Sequence, residues 1–407
     1  MSYSEPEVLA DTFRAEWPRL VAAAMRLLGD LQSAEDVVQD ALISALDRWP
    51  LSGVPANPAA WLMTACRNRA LNRIRDERRA RDRDRALPPL WQSEPAEVPQ
   101  IADDRLRLVF ICCHPVLPAD SQVALTLRMI GGLSTVDIAR AWHVPEATMA
   151  QRLVRAKRTL AEARVPFEEP AGHELKQRLP AVLDVIYLIF NEGYLARGGD
   201  GLTRPDLAAD AHRLARLLTD LLPAEPEAWA LRALIALQRS RDAARTDASG
   251  NMITLEHQDR TRWDQALIDE GLGALARTGG DAPLVLQARL AGCHATAPTF
   301  ADTDWAAIVG CYDALLAQTP TPVVALNRAV AVAMADGPQV ALPLLDALIE
   351  DRALARSHRV FAVRADLLRR LGDTDRAAED YDRALALVDN DVERRYLTDA
   401  RTQLKEH

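Results

Sequence analysis

Long hydrophobic runs are missing from this 407-residue sequence. No apolar stretch approaches ~20 residues, so no membrane-spanning helix is expected. The N-terminal Met-Ser-Tyr-Ser-Glu-Pro-Glu lacks the basic and apolar blocks of a secretory signal. Cysteine is scarce: Cys66, Cys112, Cys113, Cys293 and Cys311 are odd in number and lack ligand spacing, which excludes a disulfide framework and reads as reduced thiols in a cytoplasmic protein. Cys112-Cys113-His114 is no metal site in this reading, because adjacent helical residues point about 100° apart and no second ligand pair follows. Also absent are Gly-x-Ser-x-Gly, His-Glu-x-x-His and any phosphate-cradling glycine loop. No enzyme and no cofactor are expected. Period-2 strand segments are lacking as well, and Gly and Pro punctuate amphipathic stretches, which predicts an all-α chain.

Charge is plentiful but segregated. The net charge is −9. Residues 1–165 carry 22 Lys+Arg against 21 Asp+Glu, while residues 166–407 carry 27 against 37. Within the first part, residues 1–50 hold 4 basic against 9 acidic residues, and residues 67–85 hold 9 against 4. One face thus suits a protein partner and another a polyanion. Arginine outnumbers lysine 46 to 3.

Helical periodicity runs from Leu20 to Trp49 and is broken at Gly29-Asp30; Ser33-Ala-Glu-Asp36 offers a capping-box start to the second helix. Glu35, Asp36, Gln39 and Asp40 give that helix an acidic face, poor for DNA and fair for a basic protein partner. Asn57-Pro58 opens a further helix to about Arg79. Leu62, Ala65, Leu71 and Ile74 supply its core stripe. Trp61, Arg67, Asn68, Asn72, Arg75, Arg78 and Arg79 give it amides, guanidiniums and a ring suited to unstacked bases and phosphates, although a solvated arginine-rich face is the alternative. Residues 80–103, Arg/Asp-rich and then Pro-rich, read as a linker.

The strongest local signal spans Gly132 to Lys157. Ser134 caps a short helix with Asp137 three residues on, the chain turns at His143-Val144, and Pro145 starts a second helix. This is helix-turn-helix spacing. Thr148, Met149, Gln151 and Arg152 lie on early turns where base edges would be reached; Arg155, Lys157 and Arg158 suit phosphates and guanine edges.

These three signals, in this order, resemble the extracytoplasmic-function class of RNA polymerase sigma factors. The resemblance implies two small helical domains joined by the linker: region 2 over 1–79 and the helix-turn-helix region 4 over 104–165. It further implies binding to RNA polymerase core through the acidic helix, with the clamp helices and flap of the large subunits as partners. The Trp61–Arg79 helix would open the −10 element of promoter DNA, and the 145–158 helix would read the −35 element. Many members have an acidic residue where Asn72 stands. Leu179–Tyr194, Gln258–Asp264, Thr303–Trp305 and Leu326–Ala331 look like the subgroup with a C-terminal tetratricopeptide-like extension.

In that extension, a helical segment over 170–280 is expected before repeats over 281–407. Phe361, Ala365, Leu368, Gly372, Ala377, Tyr381 and Ala384 fit one repeat of about 34 residues. Ala341, Leu345 and Leu348 match one unit earlier, and Ile308, Tyr312 and Leu315 a unit before that. Asn191, Glu192, Tyr194, His257, Asp259, Arg260, Asp304, Trp305, Asn327 and Arg328 interrupt apolar stretches. They line either a pocket for a ligand or regulatory protein, or a buried polar network. A helix-turn-helix operator-binding regulator with an effector-sensing repeat domain is the rival to the sigma reading. Such a regulator would need neither the acidic helix nor the Trp61–Arg79 helix.

Overall fold

A computed structural model describes residues 5–84, 104–142, 144–168, 170, 172–194, 205–350, 354 and 357–404. Eighteen α-helices occur among them and no strand beyond one isolated bridge, Thr246 to Met252. The chain divides into two compact units, Met1–Leu188 and Ile189–His407.

In the first unit, α1 (Glu5–Leu28) stops at Gly29, whose φ of +70° is a conformation that side-chain-bearing residues rarely adopt. Asp30 then caps α2 (Leu31–Ser52), its carboxylate accepting from Ser33 N at 2.8 Å. The helix therefore starts three residues before the Ser33 box, because an extended aspartate directly after the glycine satisfies the first free amides. For α3 (Pro58–Asp84) the expected cap is present: Asn57 Oδ1 accepts from Ala60 N at 3.0 Å. This helix passes Arg79, since the sequence places no glycine or proline between Pro58 and Pro88. The three helices pack on one another and bury Trp17, Leu20, Val38, Ala41, Leu62 and Cys66. Each fully buried leucine or valine contributes about 1.5–3 kcal/mol.

A second group follows: α4 (Arg105–Cys112), α5 (Ala119–Met129), α6 (Thr135–Ala141) and α7 (Glu146–Glu162). Its core is Leu108, Phe110, Leu125, Leu127, Ile138 and Leu153. The two groups meet where α1 touches α4 and α5, and α2 touches α7. Helix α8 (His173–Tyr194) begins against this unit: Arg178 Nη2 donates to Phe110 O at 2.6 Å, and its guanidinium lies 5.4 Å from that ring. The division between units therefore falls within α8, later than the expected start of the extension at 170.

The second unit continues through α9 (Pro205–Leu221), α10 (Pro226–Arg239), α11 (Gln265–Leu275), α12 (Pro283–Thr296), α13 (Trp305–Gln318), α14 (Pro322–Ala335), α15 (Pro338–Ile349), α16 (His358–Arg370), α17 (Thr374–Leu387) and α18 (Asp391–Gln403). Prolines in the first turns of α10, α12, α14 and α15 lack an N–H where none is needed. From α12 onward, consecutive helices pack on one another. Of the expected repeat positions, Ile308, Leu315, Ala341, Leu345, Ala377, Tyr381 and Ala384 are buried, while Tyr312 and Leu348 are half-buried. Gly193 matters at the end of α8: a Cβ there would meet Ala208 N at 2.4 Å, so only glycine lets α8 lie this close to the backbone of α9.

Candidate polymerase and nucleic-acid interfaces

Helix α3 buries a stripe that shares only Leu62 with the expected one, since Ala65, Leu71 and Ile74 are half-buried. Leu62, Cys66 and Ala70 are buried, while Arg67, Asn68, Asn72, Arg75 and Arg79 are exposed. Arg75 Nη1 donates to Asn72 Oδ1 at 3.2 Å, and Arg79 lies 3.7 Å from Asp76. Trp61 is half-buried, its ring edge-on to Trp49 at 5.5 Å and 72°. The Arg78 side chain lies outside the described residues, as do residues 85–103 of the expected linker. Arg69 and Arg73, not singled out from the sequence, lean the other way, 3.7 Å from Asp40 and 3.6 Å from Asp36. Two of the four acidic-face candidates are thereby tied to α3.

On α2 the remaining candidates point elsewhere. Gln39 Nε2 donates to Glu35 Oε1 at 3.1 Å, and Glu35 is only 4% exposed. Among the polar residues that α2 presents to solvent, such as Asp40, Asp47 and Arg48, stand large apolar ones: Ile43 is 54% exposed, Leu46 50% and Leu51, at the helix end, 89%. Sequence reading missed Ile43 and Leu46 because they extend an apolar periodicity that looks like core.

The helix-turn-helix has the expected local chemistry. Ser134 Oγ accepts from Asp137 N at 3.1 Å and donates to Asp137 Oδ2 at 2.6 Å, fixing the start of α6. His143, in the turn, lies outside the described residues. On α7, Thr148, Gln151, Arg155 and Arg158 are exposed; Arg158 Nε donates to Glu162 at 2.6 Å. Arg152 is partly covered and 3.7 Å from Asp120. Met149 requires a correction. It is fully buried, on the same stripe as Leu153, Ala156 and Leu160, so it is a packing residue and not a base reader.

Lys157 is also turned inward. Its Nζ donates to Glu35 Oε2 at 2.7 Å, while Arg128 Nε donates to Glu35 Oε1 at 2.6 Å. Arg128 additionally donates to Leu133 O at 2.8 Å, and its guanidinium lies 5.3 Å from the buried Trp17 ring. Burial pushes the Glu35 carboxyl up, but Arg128 and Lys157 outweigh it and hold the group below the usual carboxylate range. Nearby, Arg26 reaches the buried Asp104 at 3.2 Å. Helices α1 and α2 are thus fastened to α4, α5 and α7 by ion pairs to buried carboxylates. A cleft of about 350 Å³ runs beside this seam, lined by Met25, Leu31, Ile111, Lys157 and Phe167 among others. Arg128 had one sequence signal: it is a lone charge inside the apolar run Leu125–Ile130.

Cys112 and Cys113 are buried, and burial pushes both thiols up, Cys113 to about 12. No group of three or more potential metal ligands occurs among the described residues. No described helix is long and apolar enough to cross a membrane. In the second unit, Tyr194, Arg260 and Trp305 share a neighbourhood with Trp263 and His294. The other candidates there are scattered. Asp259 caps the single turn Arg260–Arg262, Asp304 caps α13, His257 meets Thr254 at 2.8 Å, Arg328 pairs with Asp313 at 2.5 Å, Asn327 is exposed, and Asn191 and Glu192 lie on α8.

Three family descriptions match the chain: Sigma-70 region 2 over residues 12–80, Sigma-70 region 4 over 107–160, and a family of unknown function, DUF6596, over 178–279. The chain is 42% identical over 394 residues to "Uncharacterized protein R00370" of Rhizobium meliloti (strain 1021), covering 93% of this chain and 92% of that one. It is 37% identical over 145 residues to the ECF RNA polymerase sigma factor SigL of Mycobacterium tuberculosis, covering 34% of this chain and 77% of SigL. It is 30% identical over 154 residues to the ECF RNA polymerase sigma factor EcfG of Rhodopseudomonas palustris (strain TIE-1), covering 38% of this chain and 83% of EcfG. The region 2 match falls on α1 to α3 and the region 4 match on α4 to α7. The chain belongs to the extracytoplasmic-function (ECF) family of RNA polymerase sigma factors.

Proposed function

We propose that this sigma factor directs core polymerase to promoters through three faces. The apolar and acidic side of α2, with Ile43 and Leu46 at its centre, docks on the clamp helices of core. The exposed Arg67, Asn68, Asn72 and Arg75 of α3, beside Trp61, engage the opened −10 element. Thr148, Gln151 and Arg155 of α7 read the −35 element in duplex form, with Arg158 toward phosphates. The observation that carries this reading is the exposure of those amides and guanidiniums on helices whose opposite faces are core. Region 2 is assigned to about 1–79, the linker to 80–103 and region 4 to 104–165.

The second unit regulates the sigma half in cis. Its acidity, 27 basic against 37 acidic residues over 166–407, supports competition with DNA for basic helices. Its buried positions at Ile308, Ala341 and Ala377, each one repeat apart, support a tetratricopeptide-like architecture. The Glu35–Lys157 contact adds a step: α7 must part from α2 before both faces engage polymerase and promoter together.

The test is run-off transcription with core polymerase, comparing the full chain with a truncation ending at residue 168. A promoter-specific transcript from either supports the sigma assignment, and none from both overturns it. Equal activity, promoter choice and core affinity from the two proteins would overturn regulation in cis.

A further inference from the structure

Six side chains from α8, the segment after α10, and α12 form one cluster in the second unit. Arg245 lies 3.7 Å above the Tyr194 ring and donates to Tyr194 O at 2.5 Å. Arg241 Nη2 donates to the Tyr194 hydroxyl at 2.8 Å, and its guanidinium is 5.8 Å from the Trp263 ring centre. Arg260 lies 4.5 Å from that same ring and donates to the carbonyls of His294 and Ala297. The His294 ring meets Trp305 edge-on at 5.3 Å.

The charge balance of this cluster differs from its surroundings. On α9 to α11, His212, Arg216 and Arg232 converge on the single carboxylate of Glu270, at 3.1, 2.9 and 2.8 Å. On α16, Arg364 sits between Asp346 and Asp380. Among the described residues, no ion pair forms at Arg241, Arg245 or Arg260. The adjacent Asp242 leans toward Arg239, at 3.5 Å, and burial raises its carboxyl despite the arginines around it. Arg241 Nε and Trp263 Nε1 are buried donors without an acceptor. Buried positive charge that lacks a carboxylate is unfavourable unless an anion supplies one.

We propose that Arg241, Arg245 and Arg260 bind a small oxyanion, a phosphate or carboxylate group, beside Trp263. The guanidinium fork matches the geometry of either group, and rings on both sides hold the forks in place. Arg241, Arg260 and Tyr194 are only half-buried, so a solute reaches them. Arg245 and Trp263 are buried, which suits a ligand of a few atoms better than the surface of a docking protein. This inference stands apart from the promoter reading, since its readout involves neither DNA nor polymerase.

The test uses the full chain, titrated with sodium phosphate and separately with sodium succinate, each against sodium chloride at matched ionic strength. Thermal unfolding and tryptophan fluorescence are followed. A saturable rise in melting temperature with one salt over chloride is expected, and which salt acts tells phosphate from carboxylate. Arg241→Gln should weaken that response on the order of tenfold or more. Arg241→Lys keeps the charge without the fork, serves if the glutamine variant does not fold, and should weaken it less. No saturable response beyond chloride with either salt, or an undiminished response in a folded Arg241 variant, would overturn the proposal.

Discussion

Lys157 Nζ lies 2.7 Å from Glu35 Oε2, a buried ion pair between helices whose partners are 122 residues apart in sequence. One carboxylate thereby joins the region 2 helix proposed to meet polymerase to the region 4 helix proposed to read DNA. Removing one partner of such a pair leaves uncompensated buried charge, at a cost of about 3–5 kcal/mol. Glu35→Gln should therefore part the two domains and leave each domain's own core intact. Spin or dye labels on the exposed Leu51 and Arg158 should report a longer distance in the variant, at unchanged helix content. An unchanged distance would mean that the seam is held by other contacts.

The same pair sets a pH dependence. The folded Glu35 carboxyl titrates below its unfolded value of about 4.3, so its contribution is complete above that pH and is lost as pH falls through the folded value. The label distance should be constant from neutral pH to about 4.3 and lengthen only below it.

Within region 4, three side chains on one helix should fail in three different ways. Met149→Ala should destabilise the protein by about 2–5 kcal/mol in urea denaturation, as a fully buried side chain does. Gln151→Ala should leave stability unchanged and relax preference at one base pair by about 1–3 kcal/mol. Arg158→Ala should weaken binding to every duplex alike and reduce the salt slope by about one. A loss of sequence preference from Met149→Ala at full stability would restore it to the reading face.

Ile43→Asp and Leu46→Asp should abolish polymerase binding without unfolding the chain. Both side chains are about half exposed, and surface substitutions usually change stability by no more than about 0.5 kcal/mol. Core affinity measured by fluorescence anisotropy should fall at least roughly tenfold, the effect of losing a central apolar contact. Native affinity in both variants would move the docking face off α2.

His294 gives the second unit its own pH response. Burial, with help from Arg241 and Arg260, lowers this imidazole to about 4, so the folded protein keeps it neutral while the unfolded chain protonates near 6.5. Stability from this residue is complete above about 6.5 and declines as pH falls toward 4. At pH 5 the loss is about 2 kcal/mol. Urea midpoints at pH 7 and pH 5 should differ more for the native chain than for His294→Gln; an equal difference would place the titration elsewhere.

The helical architecture was legible because periodicity and caps are local. Asn57 and Ser134 start their helices where side-chain chemistry says they must, and the repeat positions Ala377, Tyr381 and Ala384 are core as their spacing implies. Met149 was legible too, since positions 149, 153, 156 and 160 are spaced as one helical stripe. Its assignment to the groove followed its place on an early turn and overlooked that spacing. The Glu35 seam was not legible, because it depends on how two domains dock. The arginine cluster was not either: Tyr194, Trp263 and His294 come from separate segments, and only packing reveals that Arg241, Arg245 and Arg260 have no carboxylate among the described residues within ion-pair distance. Ile43 and Leu46 look like core in sequence and become surface only once the neighbours of α2 are known.

Every contact of the Glu35 seam lies within the first 157 residues. At synthesis rates of about 5–20 residues per second, the second unit takes roughly 10–45 s longer to emerge. During that interval every residue of the Glu35 seam is already made, and none of its contacts comes from the second unit. The α2–α7 contact is thus open to formation before the second unit is complete, and any action of that unit on the sigma half would start from the joined form.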